Sequence, residues 1–336
     1  MITFWQQENG KLISKEKEEL STNRRTWVDA RSVTREDIRI LEEEYNIQKD
    51  HIMDILDQDE MSRIEKDDDY LLIIVRLPLF EPANDISYLT VPLGIIFLEN
   101  TIVTICWTDC EVLKDISANR LRNVRLNDFP AFTIQIMSRA DSTFLRYLKE
   151  INRRSSTIQN ELQVSIKNNE LIQLLNLEKS LVFFTTSLKG NQMLLEKLTK
   201  TRLIALDADD KEWLEDVEVD NRQAIEMADT YRNILASMTE AFASVISNNL
   251  NVVMKRLTVI NLVMAVPTLI TSFYGMNSPL PLENCGWIGT VVVSGICLVT
   301  AFGAWFLFEG HTSKIEKTTR KLQQRKKHRQ KLSSSS

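Results

Sequence analysis

Two long stretches without a single charged residue constrain this chain more than anything else in it. Leu257 to Leu282 contains no Asp, Glu, Lys or Arg, and neither does Asn284 to Phe308. A helix crosses the hydrocarbon core of a bilayer with about 20 residues, so each stretch is long enough for one span. The spans are placed near 254–275 and 287–308. A buried helical hairpin in a soluble protein is the competing reading, and two such runs so close together argue against it.

The charge distribution points the same way. Residues 1–252 carry 30 Lys and Arg against 43 Asp and Glu, whereas 253–336 carry 11 against 3. An acidic body joined to a basic, apolar end suits a membrane protein with a large aqueous part and argues against a nucleic-acid binder. Lys255 and Arg256 precede the first span, and nine Lys or Arg between Lys314 and Lys331 follow the second. The loop between the spans has no positive residue and one acid, Glu283. By the positive-inside rule both termini face the cytoplasm and the loop faces outside. The opening MITFWQQENGKL lacks a basic segment leading into an apolar one, so no leader is expected and the first domain is expected to stay cytoplasmic. The basic tail is accounted for by topology alone.

Before the spans, Trp27–Ala30, Leu71–Leu79, Tyr88–Leu98 and Thr101–Trp107 read as strands, with Glu99-Asn100 as a tight turn. Thr34 followed by Asp37 is a helix-capping pattern. Helical patterns flank these strands, which predicts an α/β domain. Beyond Pro130 there is no proline until Pro267, and Gly190 is the only glycine in that stretch. Helices are predicted near 130–166 and 169–201, and a third from about Asp210 runs into the first span. That helix would be on the order of 100 Å long at 1.5 Å per residue. A helix of such length needs partners, so an oligomer is expected. The resulting domain plan is 1–128 (cytoplasmic α/β), 129–252 (cytoplasmic long helices and stalk), 253–310 (membrane, with an outer loop at 276–286) and 311–336 (basic tail).

Steps of three and four along the first span connect Asn251, Met254, Thr258, Asn261, Ala265, Thr268, Ser272 and Gly275. Most are small or polar, between apolar neighbours such as Leu257, Ile260, Leu262, Val263, Leu269 and Ile270. A polar stripe in a membrane needs water or a polar partner. A water-filled pore and a tight helix–helix contact are equally compatible with the periodicity. The stripe carries no charge, and Mg²⁺ gives up its water reluctantly. Amides, hydroxyls and carbonyls therefore suit an ion that keeps its first hydration shell.

The remaining motifs exclude more than they assign. Cys106 and Cys110 lie four apart with no second pair or nearby His to complete a zinc site, and with Cys285 and Cys297 they read as packing residues. There is no GxxxxGK[ST] loop, and His51, His311 and His328 form no catalytic set, so an enzyme is not expected.

The first span ends in Ser272-Phe273-Tyr274-Gly275-Met276-Asn277. Its Tyr-Gly-Met-Asn, placed after a long helix and before a short loop and a second span, resembles the signature of the CorA family of magnesium and cobalt transporters. The likeness extends over the chain, including the "WVDA" strand followed by an acidic helix. It implies a funnel-shaped homopentamer in the plasma (inner) membrane, built from an α/β N-terminal cytoplasmic domain, long α-helices and a two-helix transmembrane hairpin. It also implies Gly275, Met276 and Asn277 at the outer mouth, with the Asn277 amides selecting hydrated Mg²⁺. Asn251, Met254, Leu257, Ala265 and Thr268 would line the pore, and Met254 and Leu257 would close it by excluding water. Ala265 is smaller than the bulky residue expected there.

Regulation in the family rests on Mg²⁺ held between neighbouring cytoplasmic domains. Asp207 to Asp220 contains eight acids in fourteen residues. The resemblance places Asp216 at the inter-subunit site, Glu81 or Asp85 across from it, and Glu240 in an acidic ring lower in the stalk. Mg²⁺ is thus expected both as cargo and as regulator, with no organic cofactor, and the lipid bilayer and identical chains are the expected partners. Co²⁺ and Ni²⁺ are expected to pass as well. The alternatives are a ZntB-like zinc transporter, which Met276 disfavours, and a membrane-anchored sensor or scaffold that conducts nothing.

Overall fold

The computed structural model describes residues 1–121, 124–164, 168–275 and 286–306. The chain divides into two compact units, Met1–Ala241 and Phe242–Ser336.

The first unit is built on a mixed sheet. In chain order its elements are β1 (Ile2–Glu8), β2 (Lys11–Lys15), β3 (Thr26–Arg31), α1 (Arg35–Tyr45), α2 (Lys49–Leu56), β4 (Arg63–Lys66), β5 (Leu71–Phe80), β6 (Tyr88–Phe97), β7 (Thr101–Cys106) and α3 (Glu111–Ser117). Two long helices follow, α4 (Phe129–Val164) and α5 (Asn168–Lys200), and then α6 (Ala208–Tyr274) begins. Among the described residues the sheet has seven strands in the order β2-β1-β3-β7-β6-β5-β4. Only β3 and β7 pair in parallel, and every other neighbour is antiparallel.

Period-two alternation distributes the strand side chains between two faces. On β5, Ile73, Val75 and Leu77 join Trp27, Leu93, Ile95 and Phe132 in a core that also takes Leu194, Leu195 and Leu198 of α5. Leu72 and Ile74 point the other way, to Val28, Ile96, Val103 and the α1–α2 residues Leu41, Ile52 and Ile55. Both faces are covered, which is why the central strands are apolar at nearly every position. Packing over β6 is close: a Cβ at Gly94 would drive into the Ile55 side chain.

A polar chain ties β3 to β7 inside this core. Trp27 Nε1 donates to Thr104 Oγ1 at 2.8 Å, and Thr104 Oγ1 donates to Asp29 Oδ1 at 3.1 Å. Arg31 Nη2 closes on Asp29 Oδ2 at 2.6 Å. Burial raises the Asp29 carboxyl above its usual range despite Arg31. The "WVDA" strand is thereby a structural tie across the one parallel pairing.

The expected strands and helices are present within a few residues. Thr34 and Asp37 form the reciprocal cap at the start of α1. The β1–β2 hairpin, β4, α2 and α3 were not anticipated. The hairpin turns on Asn9 and Gly10, with φ of 50° and 79°. These positive values are what a two-residue turn between twisted strands requires. Both edges of the sheet are short and charged: β2 reads KLISK and β4 reads RIEK.

α6 is one helix of 67 residues with Pro267 inside it. Asp207 and Asp210 cap its start reciprocally, with Asp210 N–H donating to Asp207 Oδ1 at 2.7 Å and Asp207 N–H to Asp210 Oδ2 at 3.3 Å. Its buried positions, Leu214, Val217, Asn221, Ala224, Ile225, Ala228 and Leu235, recur at helical spacing and belong to the first unit. In the second unit the end of α6 is followed by α7 (Trp287–Phe306).

Candidate ion pathway

α6 and α7 are each long and apolar enough to cross a membrane. Their large side chains stand exposed in the single chain: Leu269 at 74%, Phe302 at 72% and Phe306 at 82%. Apolar surface of that extent belongs against lipid or neighbouring chains.

The two helices meet along a defined seam. On α6 the half-buried positions of the span are Val259, Val263, Pro267, Ile270 and Tyr274. On α7 Gly289 is buried, and Val293, Cys297, Thr300 and Ala304 are half-buried at the same helical spacing, beside Gly295 and Ala301. Cys297 Sγ lies 4.0 Å from the Pro267 carbonyl oxygen. Pro267 has no N–H to give the ladder, a loss that a packed membrane helix tolerates.

The polar stripe lies elsewhere. At 100° per residue, the seam positions of α6 cluster in one arc, and Asn251, Met254, Thr258, Asn261, Ala265, Thr268, Ser272 and Gly275 centre about 180° away from it. All eight are exposed. Leu257, expected in the constriction with Met254, is 50% exposed and Met254 is 60% exposed. Among the described residues the stripe therefore has no partner in its own chain; the second span occupies the opposite face.

The threonines of the stripe can serve as acceptors. Thr258 Oγ1 donates to the Met254 carbonyl at 2.9 Å and Thr268 Oγ1 to that of Met264 at 2.8 Å. With these two threonine protons directed to backbone carbonyls, their oxygens remain available as acceptors. Such a surface receives hydrogen bonds from water polarised by a cation. Gly275 N–H closes the helix on the Thr271 carbonyl at 3.0 Å. A Cβ at Gly275 would meet backbone oxygens only at 3.5 Å, an ordinary contact. Packing among the described residues thus leaves room for a side chain there. Met276 and Asn277, expected beside it, lie outside the described residues, as do Glu283, Cys285, His311 and His328.

The acidic candidates lie on separate elements. Asp216 and Glu240 are exposed on α6, and Glu81 and Asp85 lie in the β5–β6 connection. Glu81 Oε2 accepts a hydrogen bond from Asn84 Nδ2 at 2.8 Å. Asp85 lines a cleft of about 440 Å³ with Arg153, Arg154 and Glu161. Among the described residues no group of three or more His, Cys, Asp or Glu is placed to hold a metal within one chain. Asp210, in the same acidic run, is occupied as a cap; burial, with the neighbouring Asp128 and Asp207, raises its carboxyl above the usual range. Cys106 and Cys110 are buried in the core. What the sequence did not disclose is the seam on α6: its residues are as apolar as those facing outward, so only the packed pair distinguishes them.

Comparison with known proteins completes the description. Residues 23–324 match the family described as CorA-like Mg²⁺ transporter protein. The cobalt/magnesium transport protein CorA of Methanocaldococcus jannaschii is 31% identical over 283 residues, covering 82% of this chain and 88% of the relative. The complete structure of the CorA magnesium transporter from the same organism superposes with a TM-score of 0.73 at 28% identity, over 92% of this chain and 97% of that one. The ZntB cytoplasmic domain from Vibrio parahaemolyticus RIMD 2210633 superposes with a TM-score of 0.57 at 12% identity, over 73% of this chain and 98% of that domain, a likeness of fold alone.

Proposed function

Because this chain belongs to the CorA-like Mg²⁺ transporter family, we propose that it is one subunit of a homopentameric channel that admits hydrated Mg²⁺, and with it Co²⁺ and Ni²⁺, into the cytoplasm. The observation that carries this reading is the position of the amide-and-hydroxyl stripe, exposed and opposite the face that packs on the second span. A stripe reserved for contact between the two spans would lie in their seam. Facing away, it needs water or other subunits, and identical chains around an axis supply both.

In this reading Gly275, Met276 and Asn277 form the outer mouth. Thr258, Asn261, Thr268 and Ser272 contact the ion through its water, Asn251 lines the inner end, and Met254 and Leu257 form an apolar constriction that closes by dewetting. Ala265 leaves the lumen wide on the outer side of that constriction. Entry is driven by the membrane potential, which supplies about 4.6 kcal/mol per 100 mV for a divalent ion, twice the value for a single charge. No ATP is needed.

Asp216, with Glu81 or Asp85 of a neighbouring chain, holds regulatory Mg²⁺; hard carboxylate oxygens suit that ion. Glu240 adds an acidic ring in the stalk. Bound Mg²⁺ offsets the mutual repulsion of these carboxylates and keeps the subunits closed, and its loss lets them move apart. The division into 1–128, 129–252, 253–310 and 311–336 assigns sensing, coupling, conduction and anchoring to successive parts, with both termini in the cytoplasm.

The test is ion flux into liposomes containing the purified full chain, with Mg²⁺, Co²⁺, Ni²⁺ and Zn²⁺ measured in parallel. Mg²⁺ entry that disappears on Asn277→Ala is the expected result. Unchanged flux in that variant would remove Asn277 from the mouth, a preference for Zn²⁺ would select the zinc-transporter reading, and no flux of any ion would leave a sensor or scaffold.

A further inference from the structure

The contact between α4 and α6 contains a polar pair that neither the ion pathway nor the acidic candidates use. Asp141 of α4 is 2% exposed and Asn221 of α6 is fully buried. Asn221 Nδ2 donates to Asp141 Oδ1 at 3.1 Å. The two remaining side-chain oxygens, Asp141 Oδ2 and Asn221 Oδ1, are buried as well, and neither meets a donor. A buried polar atom without a partner is costly. Both orphans are acceptors, one on each half of a pair already joined by one hydrogen bond, and a single proton shared between them would satisfy both.

We infer that Asp141 carries its proton on Oδ2 and donates it to Asn221 Oδ1, closing a cyclic acid–amide pair that fastens α6 to α4. The ring would satisfy both orphaned oxygens and places no net charge in the interior. Its role is positional: it holds the stalk end of the helix that continues into the first span, and it stands independently of whether the polar stripe surrounds water.

The electrostatic surroundings agree. Burial is the largest influence on the Asp141 carboxyl and pushes it well above the usual carboxylate range; the Asn221 bond works against this, and the negative charge of Asp220 on α6 adds to it. The cations of α4 nearest in sequence are engaged elsewhere, Arg139 with Asp115 and Arg146 with Glu111, both acids of α3. Among the described residues, α5, β5 and β6, which also pack on α4, direct no charge at Asp141.

The pH dependence follows from linkage. An unfolded Asp ionises near pH 3.9. In the folded chain Asp141 keeps its proton to a higher pH. Stability is therefore greatest below the unfolded value and falls as pH rises from there through the folded value. Asp141→Asn preserves both hydrogen bonds, since the introduced amide donates where the acid did, and it removes the titration.

The experiment uses the full chain in lipid nanodiscs. Thermal unfolding midpoints are followed between about pH 6 and pH 9, together with the infrared C=O stretch of protonated carboxyl groups at about pH 7. Asp141→Asn is expected to flatten the alkaline decline of the midpoint and to remove one protonated-carboxyl band present in the unsubstituted protein. Asp141→Leu, which leaves Asn221 unpaired, is expected to melt roughly 3 °C or more below Asp141→Asn throughout. An unchanged band or an unchanged alkaline slope in Asp141→Asn would overturn the assignment. So would a marked loss of stability in Asp141→Asn at about pH 6, because that would mean the site needs a carboxylate, as for a bound cation. Equal melting of the Leu and Asn variants would remove the fastening role.

Discussion

Two threonines, one on each membrane helix, make a matched pair for testing which side of α6 faces the ion. Thr268 lies on the polar stripe and donates to the Met264 carbonyl at 2.8 Å. Thr300 lies in the seam on α7 and donates to the Ile296 carbonyl at 2.9 Å. Valine replaces either side chain with the same shape and no hydroxyl. The cost to folding is small in both cases, because each carbonyl keeps its ordinary helical N–H partner and loses only a second donor. What differs is the outward oxygen. In the proposed pore the lost lone pairs at position 268 would be those offered to cation-bound water, and a hydrogen bond with a charge-carrying partner contributes about 1.5 kcal/mol. Removing one such contact at the level of the barrier slows passage about tenfold, and more if the ion touches two subunits there together. Thr268→Val is thus expected to reduce Mg²⁺ flux into liposomes by about tenfold, whereas Thr300→Val leaves it within roughly twofold. Normal flux in Thr268→Val, or an equal loss in Thr300→Val, would refute the assignment of the two faces.

Other consequences follow from the cytoplasmic part. Burial raises the Glu111 carboxyl, but hydrogen bonds from Arg146 and Tyr147 outweigh it and hold the group below its ordinary value. A depressed carboxylate contributes stability above the unfolded value near pH 4.3, and that contribution is lost as pH falls through the folded one. Arg146→Leu should therefore shrink the acid-side loss of stability in denaturant titrations between about pH 5 and pH 3, and an unchanged acid limb would count against the ion pair. For regulation, Asp216→Lys is expected to weaken the protection from protease that Mg²⁺ gives the full chain. Full protection in that variant would take Asp216 out of the switch.

Much of the fold was legible because its strands are buried on both sides. β5, β6 and β7 announce themselves as runs rich in Val, Ile and Leu, β3 as the short apolar stretch around Trp27 and Val28, and the long helices as stretches nearly empty of Gly and Pro. The β1–β2 hairpin went unread although Asn9-Gly10 is a strong turn signal, since the residues next to that turn, Gln6-Gln7-Glu8 and Lys11, are polar and β2 has only two apolar residues. β4 is four residues long with three of them charged, and it becomes a strand only by pairing with β5. In the span, periodicity isolated the stripe but could not say what it faced, because that depends on where α7 packs. Asp141 was hidden for a similar reason. In the segment SRADST it looks like a solvated helix position, and only the arrival of α6 encloses it.

The guarded edges of the sheet bear on how identical chains can live side by side. A ring of subunits concentrates the same strands at the same height, which is the circumstance in which open backbone edges would zip together into fibres. Here the terminal strands are too short and too rich in lysine, arginine and glutamate to template a neighbour. In the proposed assembly, recruitment of one copy by another would fall to side-chain surfaces, contacts that can slide or part without unravelling a ladder of hydrogen bonds.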